Sequence, residues 1–203
     1  GVKKLIHISA LGVEKKHVSK YMISKLEGEK NIRDQFKSAV ILRPSVVFGP
    51  DDKFFNTFAS LTQFSPILPL IGGGKTKFSP VYVGDVSRAI VKALEINSDD
   101  TKIYELGGPE NYTFKQLMEI LLSEIKKKRF FISIPFGIAK AQSYFLQMMP
   151  NPLLTPDQVE ILKHNNIISG LYPTLQDLGI KGKNIREILP KYIYRFRSGG
   201  QFG

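Results

Sequence analysis

Apolar residues follow two rhythms along this chain. Short unbroken apolar runs alternate with longer stretches in which apolar positions recur every three or four residues, as when strands buried on both faces alternate with amphipathic helices. The run Lys4 to Ser9, reading Lys-Leu-Ile-His-Ile-Ser, predicts a first strand. After a lysine-rich loop, Val18, Tyr21, Met22, Leu26, Ile32 and Phe36 recur at helical spacing and predict a helix over 18–36. Ala39 to Leu42 predicts a second strand, closed by Arg43, Pro44 and a turn at Gly49, Pro50 and Asp51. Strand, helix and strand of these lengths make a βαβ unit with a right-handed crossover.

Further along, the pattern predicts a helix from Phe54 to Thr62 and a loop through Pro66, Pro69 and Gly72 to Gly74. Pro80 to Val83 reads as a strand, with Asp85 as the cap of a helix running to about Glu95. Tyr104 to Leu106 is another strand, and Thr113 with Gln116 forms a capping box ahead of a helix to about Lys127. Phe130 to Ile134 is the last strand. Thr155, Pro156, Asp157 and Gln158 supply a cap, a first-turn proline and a capping glutamine for a later helix. The chain closes in a basic aromatic tail from Tyr192 to Gly203. Strands separated by helices place it in the α/β class, with a doubly wound parallel sheet and a small, mostly helical C-terminal part.

Composition narrows the possibilities. With 203 residues, 42% of them hydrophobic, the chain can bury a real core. There is no cysteine, which removes disulfides, thiolate catalysis and cysteine-based metal sites. The three histidines, His7, His17 and His164, are far apart in sequence and do not suggest a metal site. A formal charge of +11 draws the chain to anionic surfaces. Nucleic acid is disfavoured, because the basic residues are scattered and no stacked aromatic-basic module is visible. No run reaches the roughly 20 apolar residues of a membrane span, and the most apolar helical stretch, Ile134 to Met149, is interrupted by Lys140. There is no secretory signal pattern at the start; the chain opens almost directly into a strand, as if an upstream portion were missing.

The candidate chemistry begins with Tyr21 and Lys25. Four residues apart on a helix, a phenol and an ammonium share one face. A lysine held there can orient a nucleotide ribose, and its charge favours the tyrosinate. An ordinary amphipathic helix would show the same pair, so the neighbours matter. Ser9 ends one strand and Arg43, Pro44 and Ser45 end the next, so these groups converge on the carboxyl edge of a parallel sheet, where ligands of open α/β sheets bind. Arg43 is there to bind an anion or to pair with a buried carboxylate or carbonyl. Gly72-Gly73-Gly74-Lys75-Thr76 looks like the end of a phosphate-binding loop, but the required first glycine falls on Pro69, and the stretch is read as a flexible loop.

Five phrases, taken in order, carry a resemblance: His7-Ile8-Ser9-Ala10-Leu11-Gly12; Tyr21-x-x-Ser24-Lys25-x-x-Gly28-Glu29; Leu42-Arg43-Pro44-Ser45-x-Val47-Phe48-Gly49; Pro80-Val81-Tyr82-Val83-Gly84-Asp85-Val86; and Tyr104-x-Leu106-Gly107-Gly108-Pro109. As a set they resemble the extended short-chain dehydrogenase/reductase (NAD-dependent epimerase/dehydratase) superfamily. Within it they are most similar to the branch of nucleotide-binding accessory subunits of respiratory complex I and their bacterial relatives. The similarity runs from Gly1 to about Arg197. It implies the C-terminal half of an NAD(P)-binding Rossmann domain over 1–110, a small helical substrate or partner subdomain over 111–197 and a tail over 198–203. It also implies that Tyr21 and Lys25 flank a nicotinamide ribose, that Ser9 and Ala10 border it, and that the backbone at Pro44, Ser45, Val46 and Val47 lines the nicotinamide.

Two departures qualify what the resemblance implies. Active extended members usually carry a catalytic Ser or Thr one or more places beyond Ser9, where this chain has Ala10 and Leu11. The family's glycine-rich phosphate loop, and the residue that separates NAD from NADP, belong upstream of Gly1. The implied protein is an NAD(P)(H)-binding accessory protein of complex I (NADH:ubiquinone oxidoreductase), weakly catalytic or non-catalytic. Its implied location is cytoplasmic with peripheral attachment to the inner membrane, on the matrix side if mitochondrial. One alternative is an active oxidoreductase or epimerase acting on a sugar nucleotide or a quinone-pathway intermediate, with Tyr21 moving the proton, Lys25 lowering its pKa and Ser9 as the nearest hydroxyl. Another is a gene fragment without a folded product. The stretch Phe136 to Met149 either packs on its own sheet or docks on a partner or an anionic membrane surface, a reading to which the net charge and the tail residues Lys191, Arg195 and Arg197 add weight.

Overall fold

The computed structural model describes residues 1–15, 19–150 and 152–202, so His17 and Val18 lie outside the described residues. Strand β1 (Ile6–Ile8) is followed by helix α1 (Lys20–Gln35), which starts at Ser19, whose hydroxyl accepts from the Met22 amide. Then come β2 (Val40–Pro44), β3 (Val47–Phe48), α2 (Lys53–Phe64), β4 (Ile67–Ile71), a 3-10 turn (Gly72–Gly74), β5 (Lys77–Phe78) and β6 (Val81–Tyr82). The chain continues through α3 (Val83–Glu95), β7 (Lys102–Leu106), β8 (Tyr112–Thr113), α4 (Phe114–Ile125), β9 (Phe130–Ile134) and α5 (Phe136–Leu146). Short helices α6 (Pro156–Ile161), α7 (Ile185–Ile188) and α8 (Pro190–Ile193) complete it.

The main sheet is parallel and three-stranded among the described residues, in the order β1-β2-β7, with Ile6 opposite Val40 and Leu42 opposite Tyr104. Every residue of β2 is buried, as befits its central place and continuous apolar run. Three two-stranded pairings surround it: β3 with β6 and β4 with β9, both parallel, and β5 with β8, antiparallel. This is a Rossmann-like parallel core flanked by helices, with a smaller helical C-terminal subdomain. One buried cluster lies between β2, β7 and α3, with Leu42, Val81, Ala89 and Leu106 at its centre. A larger one surrounds α4, whose Leu117, Met118, Leu121 and Ile125 meet Phe55 of α2 and Leu189 beside α8.

Both capping boxes form, at Thr113 with Gln116 and at Thr155 with Gln158. Two expectations need correction. The stretch expected to be a loop around Pro69 contains β4, which pairs along its length with β9; each strand of a two-stranded ribbon keeps an open edge, where a proline's missing donor is tolerated. Asp85 is not the cap of α3: that helix springs directly from β6 with Tyr82 at the cap position, and Asp85 in its first turn instead accepts from the Lys183 amide at 2.6 Å. The basic aromatic tail packs on the body of the fold. Tyr192, Ile193 and Phe196 are buried, Arg195 bonds the Pro50 carbonyl and Asn56, and Arg197 bonds the Glu124 carbonyl.

Candidate functional site

The start of α1 is fixed from outside the helix. Asp157, in the first turn of α6, accepts from the Ser19 hydroxyl at 3.0 Å, the Lys20 amide at 2.7 Å and the Tyr21 amide at 3.3 Å. A carboxylate at a helix N-terminus satisfies orphan amides and complements the helix dipole. Tyr21 and Lys25 therefore stand on a pinned first turn and a half, with the Lys25 ammonium 5.9 Å from the Tyr21 ring centroid. That ammonium donates to the Ile8 carbonyl at the end of β1, at 2.9 Å, which ties the helix to the strand exit. Two of its three N–H donors remain for a ligand. Burial raises the pKa of the Tyr21 hydroxyl above the ordinary tyrosine value. The lysine was expected to favour the tyrosinate, but the net shift runs the other way, and Tyr21 is a protonated donor at neutral pH.

At the β1 exit, Ser9 is almost fully buried. Its hydroxyl lies beside Glu29 without closing a hydrogen bond, while its amide bonds the Leu42 carbonyl at 2.8 Å. Ala10 and Leu11 follow, also buried, so no hydroxyl is offered further along this exit. Pro44 and Ser45 are buried at the β2 exit, and Val46 and Val47 are half-buried. His7 faces the same helix from within β1; burial, then the Lys25 charge, lowers its pKa and keeps it neutral.

Beneath these groups lies an ion-pair network. Arg43, 1% exposed, donates through Nε to Glu29 at 2.8 Å and through Nη2 to the other Glu29 oxygen at 2.6 Å. It also reaches Glu14 at 2.9 Å and stacks over the Tyr172 ring at 4.8 Å. Burial opposes both charges, yet the paired bonds outweigh it, so the Glu29 carboxyl is held below the usual range and the Arg43 pKa rises. Of the two roles open to Arg43, the structure gives it the buried carboxylate.

Sequence reading missed the segment that crosses this edge. The Asn166 side chain accepts from the Ser45 hydroxyl at 2.6 Å and donates to the Leu11 carbonyl at 3.0 Å. Its backbone exchanges bonds with Lys77 and Ser79 around β5. Farther along, Ser169 and Pro173 bond Glu105 of β7. A strap over 165–174 thus lies across the carboxyl ends of β1, β2 and β7. Its only sequence signal is the Asn165-Asn166 pair after a helix, which reads as a turn.

Residues 3–117 match the profile of the 3-beta hydroxysteroid dehydrogenase/isomerase family. The chain is 32% identical over 98% of its length to the mitochondrial NADH dehydrogenase [ubiquinone] 1 alpha subcomplex subunit 9 of Arabidopsis thaliana, covering 52% of that protein. It is 33% identical over 89% of its length to the mouse subunit of the same name, covering 48%. Among solved structures, dTDP-glucose 4,6-dehydratase of Streptomyces venezuelae, with NAD and TYD bound, superposes with a TM-score of 0.64 at 19% identity, over 98% of this chain and 62% of that one. The chain spans about half the length of the curated relatives it matches. The expected kinship with the extended short-chain dehydrogenase/reductase fold and its complex I branch is borne out. With more than half its residues matching one family profile, the chain belongs to the 3-beta hydroxysteroid dehydrogenase/isomerase family.

Proposed function

We propose that the chain forms the nicotinamide-side part of an NAD(P)(H)-binding accessory protein of NADH:ubiquinone oxidoreductase that holds a dinucleotide without turning it over. The observation that carries this reading is the identity to two mitochondrial subunits of that enzyme along most of the chain. The site supports it. Lys25 keeps donors for ribose hydroxyls while fixed to the Ile8 carbonyl, and the β1 exit offers a nicotinamide only the buried Ser9, Ala10 and Leu11. When bound, the dinucleotide supplies hydride chemistry; here the residues around it orient and bury. Its partners are subunits of the respiratory complex, met from the matrix or cytoplasmic side. Among the described residues no helix is long and apolar enough to cross a membrane.

On native gels of solubilised membranes, the tagged chain should migrate with NADH:ubiquinone oxidoreductase, and Tyr21→Phe should leave that association intact. Migration as a free protein while the complex assembles fully without it would overturn the reading. So would NAD(P)-dependent turnover that Tyr21→Phe abolishes. That second result is what an active oxidoreductase or epimerase would give, and the retained Tyr21 and Lys25 pair is the observation in its favour.

A further inference from the structure

We infer that α5, together with the outward side of the β4/β9 ribbon, docks on an anionic lipid bilayer. The inference stands independently of the dinucleotide reading, since it uses none of the residues around Tyr21.

The polarity of α5 is inverted for a helix at a protein surface. Its inward side packs Ala139 against Ile71 and Val159, and its single charged residue, Lys140, is turned to Glu160 of α6 at 2.6 Å. The outward side carries no charge. Ile138 and Phe145 lie two turns apart on one stripe that Met148 extends just past the helix end, and Phe145 and Met148 are 77% and 82% exposed. The strand that leads into this helix repeats the arrangement at the strand period. Phe131 of β9 packs against the core, while Phe130, 77% exposed, and Ile132 point outward. Ile67 lies opposite Phe130 in the register, and Phe64 at the end of α2 is exposed beside them.

The charge around this apolar surface has one sign. Between Glu124 and Asp157 the chain has no acidic residue but five basic ones, four of them consecutive from Lys126 to Arg129 at the entry to β9. Lys127 and Arg129 bond neutral oxygens, the Gln63 side chain and the Thr62 carbonyl, and so keep their charge for a partner. Exposed aromatic, aliphatic and methionine side chains bordered by lysines are the make-up of elements that lie in the plane of a bilayer surface. Each basic residue near an anionic surface raises partitioning roughly fivefold. An anionic bilayer meets a border of one charge sign at every point, whereas a protein partner would need an acidic rim built to match it. A second copy would bring the same all-basic segment onto itself.

The test is co-sedimentation of the full chain with vesicles of phosphatidylcholine alone and with vesicles containing about a third phosphatidylserine. The chain should sediment with the anionic vesicles and stay in solution with the neutral ones, and raised salt should release it. Phe145→Gln with Met148→Gln should lower partitioning about tenfold, and separately Lys126→Gln with Lys128→Gln about twenty-fivefold, both while leaving the thermal melt in place. Equal behaviour with both vesicle types, or variants that bind like the parent, would overturn the proposal. Self-association that Phe145→Gln abolishes, with the chain indifferent to vesicles, would also overturn it and assign the face to a second copy.

Discussion

Arg43 shows how a single residue can look like a ligand site and act as a brace. Its guanidinium makes a two-point bond to Glu29 of α1, so it ties the centre of the sheet to the helix that presents Tyr21 and Lys25. Both partners are essentially removed from water. Replacing Arg43 by Met would leave the buried Glu29 with only the part-exposed Arg33, 3.0 Å away, as counter-charge, at a cost of about 3 kcal/mol, whereas losing both buried charges together is often near neutral. The Arg43→Met chain should therefore melt far below the parent, and adding Glu29→Leu should restore most of the loss. A double variant no more stable than the single one would show that the pair is not a closed unit. The sequence placed Arg43 at the sheet edge but not Glu29 beside it. Glu29 reads as one more polar position on an amphipathic helix, and only the crossover brings it over β2.

At the scale of elements, legibility depended on whether the signal was local. The boxes at Thr113 and Thr155 are contained in four residues each and form as read. The strand at Ile67–Ile71 was missed because its partner β9 lies some sixty residues away, while its proline argues locally for a loop. Asp85 was misassigned for a related reason, since its real acceptor role is toward the distant Lys183 amide. Asp157 extends the lesson. It was read as part of the start of α6, yet the same carboxylate also caps α1 across the fold. Asp157→Ala should cost about 1 kcal/mol, the usual worth of a cap. The loss should concentrate at one end of α1: proteolysis near Lys20 should quicken while cleavage elsewhere is unchanged. Uniform acceleration along the chain would mean that Asp157 serves α6 alone.

For the whole molecule, the question is what makes two separate apolar clusters behave as one body. The cluster under α3 and the one around α4 share only the β3/β6 ribbon, with Val47 and Val81 in the first and Phe48 and Tyr82 in the second, and the order of strands and helices along the sequence does not say what else joins them. The strap over 165–174 supplies a second join, and Asn166 near its start is the anchor, bonded at once to Leu11 after β1, Ser45 after β2 and the backbone around β5. Asn166→Ala would strand the Leu11 carbonyl, while the Ser45 hydroxyl would keep only its weaker bond, 3.0 Å to the backbone carbonyl of residue 166. Such an unpaired group costs about 1–3 kcal/mol, and in a chain of this length each kcal/mol lowers the melting temperature by about 2–4 °C. The parent should unfold in a single calorimetric transition. The Asn166→Ala chain should unfold earlier and less sharply, with calorimetric enthalpy exceeding the van't Hoff value as the two clusters begin to separate. A variant that melts several degrees lower yet stays fully two-state would show that packing between the clusters, and not the strap, carries their coupling.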